Sequence, residues 1–203
     1  MRIIGLTGGI ACGKSTVSSF LNGCGAYIID GDKLSRELTC ENGPALPAIR
    51  DCFGNAVFHN GLLNRKMLGN IVFSDPVQLE KLNRIMKPML EEMIISAINR
   101  ARADRTEICV LDMPLLFENG INRFCDSVWC VFIPQDLQIK RLVNRDCITP
   151  YEAMNRISSQ WPLEKKCGLA DYVIDNSGPV EKTMANVIER YEYELLMAGR
   201  CNE

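Results

Sequence analysis

The sequence predicts an α/β protein in three layers, with helices on both faces of a five-stranded parallel sheet. Short apolar segments alternate with segments of helical periodicity, which is the order typical of a parallel sheet. The connections carry helix-start signals, of which Thr149-Pro150-Tyr151-Glu152, a capping box, is the clearest. The predicted strands are residues 2–7, 25–30, 107–112, 127–132 and 171–175.

Composition limits the class of protein. The chain has 203 residues, of which 47% are hydrophobic and 24% charged, and its formal net charge is −2. Such a balance is ordinary for a globular protein and lacks the basic excess typical of nucleic-acid binding. Apolar runs are too short to span a membrane, and the first residues lack a signal-peptide layout. We expect a cytoplasmic protein without nucleic-acid or membrane partners, whose oligomeric state the composition does not specify.

Cysteine and histidine content narrows the chemistry. The ten cysteines form no C-x-x-C pair, and His59 is the one histidine, so a zinc site and Ser-His or Cys-His catalysis have little support. The ten cysteines are scattered through predicted strands and helices, which favours mostly buried, reduced thiols over a disulfide framework.

A glycine-rich turn joins the first strand to the first helix. Residues 8–15 read G-G-I-A-C-G-K-S, which matches the G-x-x-x-x-G-K-[ST] pattern in its required strand–loop–helix context. In such a P-loop, backbone N–H groups and a helix N-terminus surround a triphosphate, the lysine reaches the β/γ-phosphates and the Ser hydroxyl binds Mg²⁺. The pattern therefore predicts a nucleoside triphosphate with Mg²⁺, and the family resemblance given below implies that this nucleotide is ATP. The candidate ATP-binding residues are Gly9, Ala11, Cys12, Gly13, Lys14, Ser15 and Thr16.

Acidic side chains follow two of the predicted strands. Asp30 and Asp32 come after the second strand, at the sheet edge where ligands bind in open α/β folds. Asp32 is a candidate catalytic residue, and the alternative is an N-cap for the helix over 33–38. Asp112 ends the third strand in a Walker-B layout and is a second candidate, beside Ser15, for the Mg²⁺ site.

Two segments interrupt the predicted core of residues 1–39, 106–139 and 168–203, which together form one domain. Residues 40–105 read as a largely helical substrate-binding insertion, with a helix over 62–73 and a break or kink at Pro88. Residues 140–167 read as a lid that carries Lys140, Arg141, Arg145, Arg156, Lys165 and Lys166. They are either a solvated basic face or groups that neutralise a triphosphate, with Arg141 and Arg145 as catalytic candidates.

The assembled motifs resemble the dephospho-coenzyme A kinase family over nearly the whole chain. The P-loop, D-G-D at 30–32 followed by Arg36, G-L-L-N-R ending at Arg65, P-L-L-F-E at 114–118, Gln138 with Arg141, Arg156 with Gln160, and A-D-Y-V-I-D-N at 170–176 carry the resemblance. It implies a P-loop kinase that phosphorylates the ribose 3′-hydroxyl of dephospho-coenzyme A, the last step of coenzyme A biosynthesis. It also implies that Asp32 accepts the proton and that Asp32, Arg36, Arg65 and Leu116 contact the acceptor.

The chain departs from the family pattern at three places. Gly31, Lys87 and the pair Lys165-Lys166 stand where the family usually has Ala, His and an Arg. Lysine cannot fork onto phosphate as arginine does, so we expect more reliance on Arg141 and Arg145. Alternatives are another small-molecule or nucleoside monophosphate kinase, and a GTP-dependent switch, although the chain lacks an N-K-x-D element.

Cys12 has a special position inside the P-loop. A helix N-terminus and a lysine two positions later both favour the thiolate, so we expect Cys12 to be the most reactive cysteine. The alternative is an unreactive thiol that faces the core.

Overall fold

The computed structural model describes residues 1–200. The strands are β1 Arg2–Gly8, β2 Tyr27–Asp30, β3 Phe58–His59, β4 Leu62–Leu63, β5 Ile108–Asp112, β6 Ser127–Phe132 and β7 Tyr172–Asp175. The helices are α1 Lys14–Gly23, α2 Gly31–Leu38, α3 Leu46–Phe53, α4 Arg65–Ser74, α5 Pro76–Ala103, α6 Gln135–Asp146, α7 Pro150–Ser158, α8 Leu163–Leu169 and α9 Val180–Arg200. The frayed tail expected at 200–203 lies, beyond Arg200, outside the described residues.

The main sheet confirms the predicted five-stranded parallel fold. Its strand order is β2-β5-β1-β6-β7, so the first strand of the chain lies in the centre. β1 runs parallel to β5, with Leu6 opposite Asp112, and parallel to β6, with Thr7 opposite Cys130. This order brings the turn after β1 between the carboxyl ends of β5 and β6, where ligands bind in open α/β sheets.

The central strand is enclosed by the core. Ile4 and Leu6 are fully buried, in one cluster with Trp129 of β6 and Val187 and Tyr191 of α9. Val180 and Ile188, two further apolar residues of α9, are exposed instead. None of the helices described between residues 1 and 200 could cross a membrane, because none is both long and apolar enough.

The chain divides into two compact units. One contains Met1–Ile29 and the chain from Arg100 onward, and the other contains Asp30–Asn99. The second unit holds most of the insertion predicted at 40–105, but it begins at Asp30 and so includes α2. Residues 140–167 belong to the first unit, and their role as a lid stays a prediction.

A hairpin replaces the start of a predicted helix in the second unit. The sequence pattern had suggested helix over 62–73, whereas Phe58–His59 pairs antiparallel with Leu62–Leu63 and α4 begins only at Arg65. The two-residue loop is Asn60-Gly61, both with positive φ, which is the turn that best fits the twist of a hairpin. Asn64 then caps α4 by accepting a hydrogen bond from the Met67 N–H.

Helix α5 continues through Pro88. The break expected there is absent, because the helix runs unbroken over Pro76–Ala103. A proline removes one backbone hydrogen bond from a helix, and buried residues after it, including Leu90, Ile94 and Ile98, hold the remaining turns. The predicted start is confirmed, since Pro76 is the first residue and the Asp75 carboxylate accepts from the Val77 N–H at 2.8 Å.

Candidate active site

The turn after β1 has the backbone of an anion-binding loop. Ala11 and Gly13 both have positive φ, of 61° and 87°, so the chain reverses its curvature within three residues. Lys14 and Ser15 open α1, and the first N–H groups of a helix have no partner within it. Together with the positive end of the helix dipole, these N–H groups can hold the oxygens of a phosphate.

Asn176 closes the space beside Gly13. Its Nδ2 donates to the Cys12 carbonyl at 2.8 Å, and its Oδ1 accepts from the Thr183 hydroxyl at 3.2 Å. A Cβ on Gly13 would lie 2.1 Å from that Nδ2, so both the conformation and the close approach require glycine at this position. The loop is therefore held from the end of β7 as well as from β1.

Lys14 and Asp112 form an ion pair at the edge of the sheet. Their side chains are 16% and 10% exposed, and the aspartate ends β5, the strand beside β1. The structure thus brings together the P-loop lysine and the carboxylate predicted for the metal site. Ser15 and Thr16, the next two predicted ATP-binding residues, are exposed.

The two arginines predicted to act in transfer have different surroundings. Arg141 Nη2 donates to the Asn176 carbonyl at 3.0 Å, and its Nη1 would lie 3.7 Å from a Cβ on Gly13, so it lies beside the loop. Arg145 is 56% exposed and binds Asp146 through two hydrogen bonds of 2.7 and 3.1 Å. The hydrogen bond from Arg145 and the neighbouring Arg156 hold the pKa of Asp146 below its usual value.

The basic residues of 140–166 do not form one cluster, which corrects the sequence-based expectation. Lys166 is fully buried, and its Nζ binds Glu118 Oε1 and the Pro114 carbonyl, both at 2.7 Å. Lys165 instead lies 3.5 Å from the ring centre of Trp161. Lys166 therefore cannot replace a solvent-facing lid arginine, because its charge is used inside the protein.

Cys12 is not the reactive thiol that its position suggested. Its side chain is fully buried within the core beneath the loop, and burial raises the pKa of the thiol to about 11. Desolvation outweighs the favourable helix N-terminus, so the structure favours the alternative, a thiol that faces the core, and its low reactivity becomes a prediction.

Burial of the cysteines is also less general than expected. In the described part of the chain nine cysteines are free. Cys12, Cys109 and Cys130 are buried, three are half-buried, and Cys40, Cys52 and Cys147 are exposed.

Leu116, another predicted acceptor contact, lies in the core. Its side chain is fully buried, and a Cβ on Gly5 would lie 2.7 Å from Leu116 Cδ2. Its side chain therefore packs against β1, and its contact with the acceptor stays a prediction.

The remaining acceptor-side candidates lie in the second unit. The N-cap of α2 is Asp30, whose carboxylate accepts from the Lys33 N–H at 2.9 Å. Asp32 lies in the first turn of that helix and is exposed, so it is not the cap. Arg65 Nη2 donates to the Arg36 carbonyl at 3.0 Å, which brings these two candidates together.

Sequence reasoning missed several groups that hold the loop. Gln138, Gln160 and Asn176 entered only as landmarks of a family resemblance, without a role. Their signal was weak because a neutral amide has no charge or spacing rule of its own, and only the fold brings it to the loop. The buried Lys166–Glu118 pair was missed for a related reason, since in sequence it resembles surface charge.

This fold and loop define a P-loop kinase. Comparison with known proteins gives the family: residues 2–182 match the family model of dephospho-CoA kinase. The chain belongs to the dephospho-CoA kinase family.

Three relatives illustrate the similarity. A curated dephospho-CoA kinase of Enterococcus faecalis is 40% identical, with 96% of this chain and 98% of the relative covered. A crystal structure from Thermus thermophilus shares 30% identity and a TM-score of 0.84 over 96% of this chain and 97% of that one. The structure of a dephospho-CoA kinase from Campylobacter jejuni has 26% identity and a TM-score of 0.70, covering 94% and 95% of the two chains.

Proposed function

We propose that the protein transfers the γ-phosphoryl group of ATP to the 3′-hydroxyl of dephospho-coenzyme A, giving coenzyme A and ADP. The observation that carries this proposal is the extent of the family match, because residues 2–182 include most of the P-loop unit and the whole 30–99 unit. Similarity limited to the P-loop would support only nucleotide binding.

The loop would hold the triphosphate. Backbone N–H groups of the 9–16 segment and the Lys14 ammonium would bind the β- and γ-phosphate oxygens. The ion pair of Lys14 with Asp112 supports this role, because the carboxylate keeps the ammonium at the sheet edge beside the loop. When Lys14 binds phosphate oxygens in place of Asp112, the Asp112 carboxylate would become available to bind a cation.

A magnesium ion fits this donor set. Mg²⁺ prefers oxygen ligands and is usually held by one or two carboxylates together with phosphates and waters. The Ser15 hydroxyl and the Asp112 carboxylate would hold it, and the bound ion would neutralise charge on the β- and γ-phosphates. Among residues 1–200 there is no group of three or more His, Cys, Asp or Glu that could hold a metal ion.

The transfer step would need a proton acceptor and several cations. The oxygen of the 3′-hydroxyl would form a bond to the γ-phosphorus while the bond from that phosphorus to the bridging oxygen breaks and ADP leaves. Asp32 would accept the proton that the hydroxyl loses. Phosphoryl transfer has a loose transition state, so charge compensation by Lys14, Arg141 and Arg145 should matter more than the base. Arg36 and Arg65 would bind the acceptor.

The remaining parts of the proposal are coarser. Nine free thiols in the described residues support a reducing compartment, and we propose the cytoplasm. The net charge of −2 supports a protein without a nucleic-acid partner.

An acceptor panel tests the activity. The purified protein is incubated with Mg-ATP and either dephospho-coenzyme A, a nucleoside monophosphate or shikimate, and ADP release is followed with mass spectrometry of the product. We expect ADP release that depends on dephospho-coenzyme A, with the new phosphate on the 3′-oxygen. Transfer to another acceptor alone, or slow hydrolysis that ignores all acceptors, would replace the proposal with a different kinase or with a nucleotide switch.

Asp32→Asn tests the base. Because Asp30 and not Asp32 caps α2, this change should leave the helix intact. We expect kcat to fall by roughly 10²–10⁴-fold, since a general base contributes about that much. Calorimetry of ATP binding and thermal unfolding should give wild-type values, and unchanged kcat would exclude Asp32 as the base.

A further inference from the structure

Two glutamine side chains hold the same residue of the phosphate-binding loop. The Ile10 carbonyl accepts a hydrogen bond from Gln138 Nε2 at 2.7 Å, and the Ile10 N–H donates to Gln160 Oε1 at 3.1 Å. Gln138 belongs to α6, and Gln160 lies between α7 and α8, in the segment predicted as a lid. One peptide residue of the loop is thus held at both of its polar groups.

The chemistry of the partners fixes the orientation of both amides. A backbone carbonyl only accepts and a backbone N–H only donates, so Gln138 must present its NH₂ and Gln160 its oxygen. The fit around Gln138 is tight, because its side chain is buried and a Cβ on Gly9 would lie 2.6 Å from its Nε2. Gly9, Gln138 and Gln160 together line a pocket of about 250 Å³.

Ile10 is the residue at which such support is needed. It precedes Ala11, which has a φ of 61°, a region that costs a residue with a Cβ on the order of 1 kcal/mol. On the other side, the Cys12 N–H donates to the Gly9 carbonyl at 3.2 Å, and the Cys12 carbonyl accepts from Asn176. Side-chain amides therefore hold the loop on both sides of its reversed residue.

We infer that Gln138 and Gln160 are positioning residues, which set the loop geometry for phosphoryl transfer without touching the substrate. This inference rests on the proposed function for its catalytic consequence. Preorganised donors act only when they point to where charge develops, and an error of about 1 Å can cost roughly 10²-fold in rate. Gln160 also links the predicted lid segment to the loop by a direct hydrogen bond.

A matched pair of substitutions separates the hydrogen bonds from other effects. Gln160→Glu keeps an oxygen that can accept from Ile10, whereas Gln138→Glu places a carboxylate oxygen against the Ile10 carbonyl. Both changes add the same charge near Ile10 and preserve side-chain length. The difference between the losses of activity in the two variants therefore reports the hydrogen bond to Ile10. Gln135→Glu adds that charge on an exposed residue of the same pocket, whose Nε2 donates a 3.7 Å hydrogen bond to Met154 Sδ and does not hold the loop.

The readouts are kcat, KM for Mg-ATP, ATP affinity by calorimetry, and thermal unfolding. We expect Gln138→Glu to reduce kcat/KM at least about 10-fold more than Gln160→Glu, through both a lower kcat and a weaker ATP affinity, with Gln135→Glu within about twofold of wild type. Gln160→Ala removes the acceptor for the Ile10 N–H, so it should lose activity that Gln160→Glu retains. Equal losses in both Glu variants, or losses that follow the unfolding temperature, would overturn the inference.

The outcome stays separate from that of the proposed function. If the wild type does not phosphorylate dephospho-coenzyme A, the proposed function fails, while ATP affinity still tests the loop. In that case Gln138→Glu should weaken ATP binding more than Gln160→Glu does, and equal affinities would overturn the inference by themselves.

Discussion

Lys166 and Arg145 both lie in the 140–167 segment, but their surroundings are opposite. Lys166 is fully buried between Glu118 and the Pro114 carbonyl, and the same Glu118 oxygen also accepts from the Trp161 N–H at 3.2 Å. Arg145 has 56% of its side chain exposed and binds only the adjacent Asp146. A buried charge is strongly tied to its partners, whereas an exposed one can reorient at little cost. The first cation therefore holds the fold together, and only the second can move to a phosphate.

Lys166→Met should give the largest effect, and it is an effect on stability. Removing one partner of a buried pair leaves an uncompensated charge and costs about 3–5 kcal/mol in the free energy of unfolding. Thermal and urea unfolding measure this loss. Because Glu118 Oε2 already lacks a partner, the double variant Lys166→Met with Glu118→Gln should recover part of it. A single variant as stable as wild type would contradict the structural role.

Lys14→Ala should come next, and its effect is on catalysis. Loss of one preorganised electrostatic group costs about 3–4 kcal/mol in activation free energy, or roughly 10²–10³-fold in kcat. Steady-state kinetics at saturating Mg-ATP check this, and near-normal turnover would exclude the loop as the phosphate site. Removing Lys14 also leaves the largely buried Asp112 carboxylate without its partner, so thermal unfolding is measured alongside to separate a loss of stability from the loss of turnover.

Arg141→Ala sharpens the comparison within a single helix. Arg141 lies beside the loop, whereas Lys140, its neighbour in α6, is exposed. We expect a fall of about 10²-fold in kcat for Arg141→Ala. Lys140→Ala should stay within about twofold of wild type, as for an ordinary surface change. Equal effects would mean that general positive charge, and not position, matters.

Arg145→Ala should lower kcat by an amount between the effects of Arg141→Ala and Lys140→Ala. Its guanidinium must leave Asp146 to reach a phosphate, so its contribution to the rate should be smaller than that of Arg141. The pKa of Asp146 is lowered in the folded state, so the stabilisation from this pair is present above the unfolded pKa and lost as the pH falls through the folded one. Activity near neutral pH is therefore measured with the pair intact.

Maleimide treatment of Cys12 should give the smallest effect, because this thiol should hardly react in the native protein. With a pKa of about 11, only about one thiol in a thousand is ionised at pH 8, and burial blocks access as well. Maleimide followed by peptide mapping should label Cys40, Cys52 and Cys147 first, with Cys12 unlabelled in the native protein. Early labelling of Cys12 that Mg-ATP prevents would show that the loop opens in solution.

The sequence predicted the sheet and the loop because both depend on local signals. The Gly8–Ser15 pattern and the apolar strands that end in Asp112 and Asp175 are readable from residue type and spacing alone. The capping box at Thr149 and Glu152 is likewise local and is present in the structure. The hairpin at Asn60-Gly61 also had a local signal, which the helical pattern around it obscured.

The fates of individual side chains could not be predicted in this way. Cys12 and Lys166 are adjacent to residues with very different exposure, and burial depends on which distant elements pack against them. The cap of α2 shows the same limit at short range, because Asp30 and Asp32 are both suitable caps and only the point where β2 ends makes Asp30 the first. Long-range packing, and not residue type, decides these cases.

The central place of β1 has a consequence for synthesis of the protein. This strand is made before both of its neighbours, since Ile4 lies opposite Val110 and Ser127. On the ribosome the apolar residues of β1 have no partner strands until Val110 and Ser127 have been translated. Long-range pairing of this kind slows folding and leaves hydrophobic surface exposed in the meantime. The strand that leads into the P-loop is thus translated well before the two strands that flank it, and its sheet contacts are complete only once β6 has emerged.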